Sequence, residues 1–102
     1  MSNWIEACNL DKLKDGLPYP VTLDDYDIVL ILKDETVYAL EDNCTHQDLP
    51  LSQGKVGADR ITCRAHGAQF CLKTGKALKA PAFAPVRTYA TKIEDRIVFV
   101  DV

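Results

Sequence analysis

A chain of 102 residues is long enough for one hydrophobic core but too short for two independent ones, so a single domain over residues 1–102 is expected. Hydrophobic residues make up 47% and charged residues 26%, ordinary globular values that exclude a disordered or fibrous chain. With 12 Lys and Arg against 15 Asp and Glu the net charge is −3, which leaves no basic surface to neutralise phosphates and speaks against nucleic-acid binding.

The N-terminal Met1-Ser2-Asn3-Trp4-Ile5-Glu6 lacks the cationic start and apolar stretch of a secretory signal, so a cytoplasmic address is expected. In chain order, strands are predicted at residues 4–8, 19–22, 26–32, 36–40, 86–93 and 96–102, each rich in Val, Ile, Tyr or Thr and bounded by Asp, Gly or Pro. Between the first two, Asn9 as a cap, Leu10 and Leu13 three apart and Gly16 at the end predict about one helical turn. Lys33-Asp34-Glu35 reads as the turn of a hairpin. The longest apolar run, Ile28-Val29-Leu30-Ile31-Leu32, is far short of the roughly 20 residues of a membrane span. In the last strand Ile97 and Phe99 face one way and Val98, Val100 and Val102 the other, so it is expected to be central or sandwiched. The acidic groups Asp24-Asp25-Tyr26-Asp27, Asp34-Glu35 and Glu41-Asp42 read as solvated turns, with electrostatic steering of a basic partner as the sharper alternative.

Residues 41 to 85 differ in composition from both ends. They hold both histidines, three of the four cysteines, four of the five glycines and three of the five prolines. An irregular, loop-rich stretch inserted in a small β domain is where function is expected. Its centre is Cys44-Thr45-His46, then sixteen residues, then Cys63-Arg64-Ala65-His66. Each pair is spaced so that a tight turn can aim both side chains at one metal, and Gly67 follows where backbone must reach positive φ or approach a bulky group. Zinc takes the same ligand types, although its usual spacings pair cysteine with cysteine and histidine with histidine. Thiol catalysis by Cys63 and His66 lacks an orienting third group. Cys8 and Cys71 read as packing residues, with a redox or alternative-ligand role open for Cys71.

The Cys-x-His and Cys-x-x-His pairs, with His66-Gly67-Ala68-Gln69-Phe70, the turn Lys73-Thr74-Gly75-Lys76-Ala77-Leu78 and the ending from Thr88-Tyr89 to Val102, closely resemble the Rieske iron–sulfur proteins. Within them the chain is most similar to the ferredoxin component of bacterial ring-hydroxylating dioxygenase systems. The resemblance implies an all-β fold: a small Rieske domain of antiparallel sheets with a loop-rich cluster-binding subdomain at about residues 42–85. It implies one [2Fe–2S] cluster, with Cys44 and Cys63 on one iron and His46 and His66 on the other. Two ferric ions, two sulfides and two thiolates then sum to 0, where four thiolates would give −2, so neutral imidazoles ease the arrival of an electron. Relatives in quinol-oxidising complexes carry a cysteine pair and hydroxyl donors around the cluster. Leu49, Ala65, Ala68 and Phe70 stand at those positions here, which places the potential in the lower part of a family range of roughly −150 to +300 mV.

The implied function is that of a soluble one-electron carrier. Its partners would be a flavin-dependent, NAD(P)H-driven ferredoxin reductase and a terminal Rieske non-haem-iron oxygenase of aromatic compound degradation. Such a chain has no substrate of its own and would run as a monomer. Leu49-Pro50-Leu51 reads as an exposed apolar docking patch and Pro81-Ala82-Phe83-Ala84-Pro85 as a loop over the cluster, with core filling the alternative for both. A zinc-stabilised binding module and a permanently bound subunit of a larger oxidoreductase are the other readings.

Overall fold

The computed structural model describes residues 3–43, 49–64, 67–80 and 84–102. Among them are eleven strands: β1 (Trp4–Asn9), β2 (Pro18–Leu23), β3 (Tyr26–Lys33), β4 (Thr36–Glu41), β5 (Lys55–Val56), β6 (Arg60–Thr62), β7 (Gln69–Cys71), β8 (Ala77–Lys79), β9 (Thr88–Tyr89), β10 (Thr91–Glu94) and β11 (Ile97–Asp101). Two 3₁₀ turns, Leu10–Lys12 and Leu51–Gln53, are the described helical segments. No helix among the described residues is long and apolar enough to cross a membrane. The expected turn after Asn9 is there, with the Asn9 side chain accepting from the Asp11 N–H at 2.8 Å.

Three antiparallel sheets form, in the orders β1-β11-β10, β2-β3-β4-β9 and β5-β6-β7-β8. The expected central place of the last strand holds, since β11 lies between β1 and β10. The long strand predicted over residues 86–93 is two strands in two sheets. β9 pairs with β4 through Ala39↔Tyr89, and after Ala90 the chain continues as β10 against β11. The middle of the chain, read as irregular, contains the whole third sheet. Its strands are two or three residues long, too short for alternation to register as a period, yet Ile61 and Phe70 pair across β6 and β7 and are both fully buried.

β3 explains how the layers stack. Ile28, Val29, Leu30 and Ile31 are all at 0% exposure, because successive side chains point to opposite faces and both faces are covered. Val29 and Ile31 enter a core with Leu40, Leu51, Ile61, Ala68, Phe70, Leu72 and Val86, beneath the third sheet. Ile28 and Leu30 enter the other, with Val37, Ala39, Val98 and Val100, against the first sheet. The middle sheet is thus the shared floor of two cores.

Three two-residue connections close the hairpins: Asp24–Asp25, Asp34–Glu35 and Asp95–Arg96, all with φ between 50 and 70°. Positive φ at both central residues matches the twist of the flanking strands, and Asp tolerates it better than most side chains. The pairs Asp24–Asp25 and Asp34–Glu35 are therefore turn chemistry as expected, whereas Tyr26 and Asp27 lie in β3, Glu41 lies in β4 and Asp42 makes the part-buried contacts described next.

Candidate metal centre

The first loop of the expected site leaves β4. Glu41 N–H donates to Arg87 O at 2.8 Å, Arg87 N–H donates back to the Glu41 carboxylate at 3.2 Å, and Asp42 N–H donates to Asp27 O at 2.9 Å. The Arg87 guanidinium also lies over the rings of Tyr89 and Tyr26, 4.8 and 5.7 Å from their centroids. Asp42 accepts at both carboxylate oxygens from one residue, the N–H of Ser52 at 2.7 Å and its hydroxyl at 2.8 Å. Cys44 and His46 fall between these anchors and lie outside the described residues.

The second loop is the connection of the β6–β7 hairpin. Cys63 follows β6 directly and is 1% exposed, and its N–H donates to Ala68 O at 2.7 Å across the mouth of the loop. Gly67 has φ +71°, the left-handed value that Cys-x-x-His-Gly anticipated. Arg64 is exposed and donates to the Gln53 side-chain oxygen at 3.1 Å. Ala65 and His66 lie outside the described residues, so of the four expected ligands the structure places one, Cys63. A cavity of about 320 Å³ lies beside it, lined by Gln53, Gly54, Lys55, Thr62, Cys63, Arg64 and Gly67.

Several expectations are modified. Leu51 is not part of an exposed patch. It is fully buried in the core beneath the third sheet, with Leu49 and Pro50 half-buried before it. Ala68 and Phe70 are both at 0% exposure and fill that same core. Of the proline-bounded loop, Pro81, Ala82 and Phe83 lie outside the described residues, and Pro85 is exposed.

The two spare cysteines differ from each other. Cys8 faces the core under the first sheet, and burial pushes its thiol up, as befits a packing residue. Cys71, at the end of β7, is lowered from the ordinary thiol value chiefly by the Thr74 hydroxyl, with help from the N–H groups of Thr74 and Lys73 and against some desolvation. Sequence reasoning missed Asp42 and Ser52. The signal was a Ser eight residues past the candidate ligand Cys44, and spacing alone does not announce such a contact.

The donor chemistry fits an iron–sulfur group: a buried thiol at the mouth of a hairpin, a backbone turn that closes under it, and remaining cysteine and histidine candidates on the two loops that flank the Leu51–Gln53 turn. Comparison with known proteins points the same way. The family model described as Rieske [2Fe-2S] domain matches residues 3–90. The 3-phenylpropionate/cinnamic acid dioxygenase ferredoxin subunit of Shigella boydii serotype 4 (strain Sb227) is 42% identical over 100 residues, 97% of this chain and 93% of that one. Among solved structures, the ferredoxin of carbazole 1,9a-dioxygenase from Nocardioides aromaticivorans IC177 superposes with a TM-score of 0.93 at 27% identity, covering 98% of each chain. A complex of reduced oxygenase and oxidized ferredoxin in carbazole 1,9a-dioxygenase matches with a TM-score of 0.91 at 25% identity, covering 99% of this chain and 94% of that one. With the family match running from the strand that opens the fold to the one that pairs with β4, both loops lie wholly inside it, and the chain belongs to the Rieske [2Fe–2S] domain family and has that family's cluster as its cofactor.

Proposed function

We propose that this protein is the one-electron carrier of a multicomponent aromatic dioxygenase system, loaded by a flavin-dependent NAD(P)H reductase and discharged on a terminal Rieske non-haem-iron oxygenase. Of all the observations, the likeness over nearly the whole chain to a dioxygenase ferredoxin subunit carries this reading. The solved oxygenase–ferredoxin complex supports the oxygenase as one partner. The ligands in this reading are Cys44, His46, Cys63 and His66. When bound, the cluster takes up and gives back a single electron.

What the chain itself contributes follows from its residues. Cys44 and Cys63 would bind as thiolates, and His46 and His66 as neutral imidazoles. Ala68 and Phe70 keep the underside of the second loop dry and offer no hydroxyl, which supports a potential in the lower part of the family range. The reading takes residues 1–102 as one Rieske domain with its cluster-binding subdomain at about 42–85. The third sheet, Lys55–Lys79, lies inside that stretch, and the strands of the other two sheets lie outside it. A cytoplasmic monomer with a small, transient interface completes it.

An EPR-monitored redox titration of the protein purified without added metal tests the proposal. A rhombic signal on reduction, with a midpoint in the lower part of the Rieske range, is expected, and His66→Cys should lower that midpoint by making the cluster unit more negative. A colourless, EPR-silent protein that binds stoichiometric zinc and stays folded would sink it.

A further inference from the structure

Both loops of the centre make contact with one short segment, the 3₁₀ turn Leu51–Gln53 and the Gly54 that follows it. Ser52 holds the base of the first loop through Asp42, and Gln53 receives Arg64 of the second. Leu51, at 0% exposure, nails the turn to the core beneath the third sheet. Gly54 lies so close to the second hairpin that a Cβ there would sit 2.0 Å from Thr62 O, the carbonyl just before Cys63. The Gly54 N–H closes the turn on Leu51 O at 2.8 Å. Four consecutive residues therefore touch the core, the first loop, the second loop and the strand that leads into it.

We infer that residues 51–54 act as a clasp that sets the two ligand-bearing loops at a fixed separation, and that Asp42 and Ser52 are its principal positioning residues. This rests on the ligand reading above. The magnitudes rank its parts. The Asp42–Ser52 pair is charge-assisted at two atoms and part-buried, so it is the strong link, whereas the Arg64–Gln53 bond is exposed and competes with water. Residues 43–51 close a short loop between Asp42 and Ser52. Opening this one bidentate contact removes the side-chain tie between the two ends of that stretch, leaving the Asp42 N–H on Asp27 O and the buried Leu51 to hold them singly.

The test measures the rate at which visible absorbance bleaches under an iron chelator, alongside the EPR line shape and the urea midpoint of the β fold. Asp42→Ala is expected to bleach roughly tenfold faster with a changed line shape. Ser52→Ala, which keeps the backbone bond, should bleach about threefold faster, Gln53→Ala about twofold, and Ser52→Thr should restore the slow rate. If Asp42→Ala does not fold, the contrast between Ser52→Ala and Ser52→Thr decides. Wild-type bleaching in Ser52→Ala, or acceleration that merely tracks a lowered urea midpoint, would overturn the clasp while a colourless Cys63→Ala left the ligand reading standing. Retention of the cluster by Cys63→Ala would overturn the ligand reading and the clasp together.

Discussion

Cys71 and Cys63 are eight residues apart, on opposite ends of the same hairpin region, and their surroundings divide their work. Cys63 is sealed in the core, while Cys71 is half-buried with its thiolate favoured by the Thr74 hydroxyl. Hydrogen bonds to the charged form lower a thiol pKa, so removing the hydroxyl must raise it. In Thr74→Val the pH at half-maximal iodoacetamide labelling of Cys71 is expected to move upward, as measured by mass spectrometry across a pH series. Cys71→Ala should leave the visible and EPR spectra of the cluster unchanged. The ligand candidates themselves were legible from spacing, because Cys-x-His and Cys-x-x-His are residue types that water-exposed loops seldom gather by chance. Asp42 was not, since its partner is fixed by where the turn at Leu51–Gln53 lands, a fact of tertiary structure.

Among elements, hairpins were the most readable and the short strands the least. The β3–β4 turn was anticipated at Lys33-Asp34-Glu35, between two apolar-rich stretches, and the register Lys33↔Thr36 puts Lys33 in the strand and leaves Asp34 and Glu35 alone in the loop. Glu35 has φ 68°, which costs a side-chain-bearing residue about 1 kcal/mol that glycine does not incur. Glu35→Gly should therefore raise stability by about 0.5 kcal/mol in urea unfolding, the relief of the positive φ outweighing the freedom glycine adds to the unfolded chain. The strands of the third sheet escaped notice because pairing, not periodicity, defines an element two or three residues long. β9 and β10 were fused for a different reason: no Gly, Pro, Asn or Asp interrupts the chain from Val86 to Ile93, while the chain changes sheet at Ala90.

For the molecule as a whole, the Cα radius of gyration is 12.6 Å, about the value of a compact chain of this length. The overall all-β class followed from the punctuated pattern of short Val-, Ile-, Tyr- and Thr-rich stretches, but the stacking did not. The continuous apolar run Ile28–Leu32 is the local mark of a strand covered on both faces, but nothing local says which sheets do the covering. Because Val29 and Ile31 serve one core and Ile28 and Leu30 the other, neither core can melt without stripping β3 of half its contacts. Trp4, the single tryptophan, lies in the first sheet, remote in sequence from the ligand loops. Its fluorescence and the far-UV signal are expected to give one coincident urea transition, and two separated midpoints would show that the cores unfold independently.

β2 forms the outer margin of the middle sheet, and Pro18 and Pro20 occupy alternate positions along it, opposite Ile31 and Val29. Residues two apart in a strand point their backbone nitrogens the same way, so these two prolines withdraw two neighbouring donors from the open margin. A β-strand arriving from another molecule meets carbonyls without the N–H groups that would complete a ladder. A second copy of the chain is thereby discouraged from adding to this margin strand against strand.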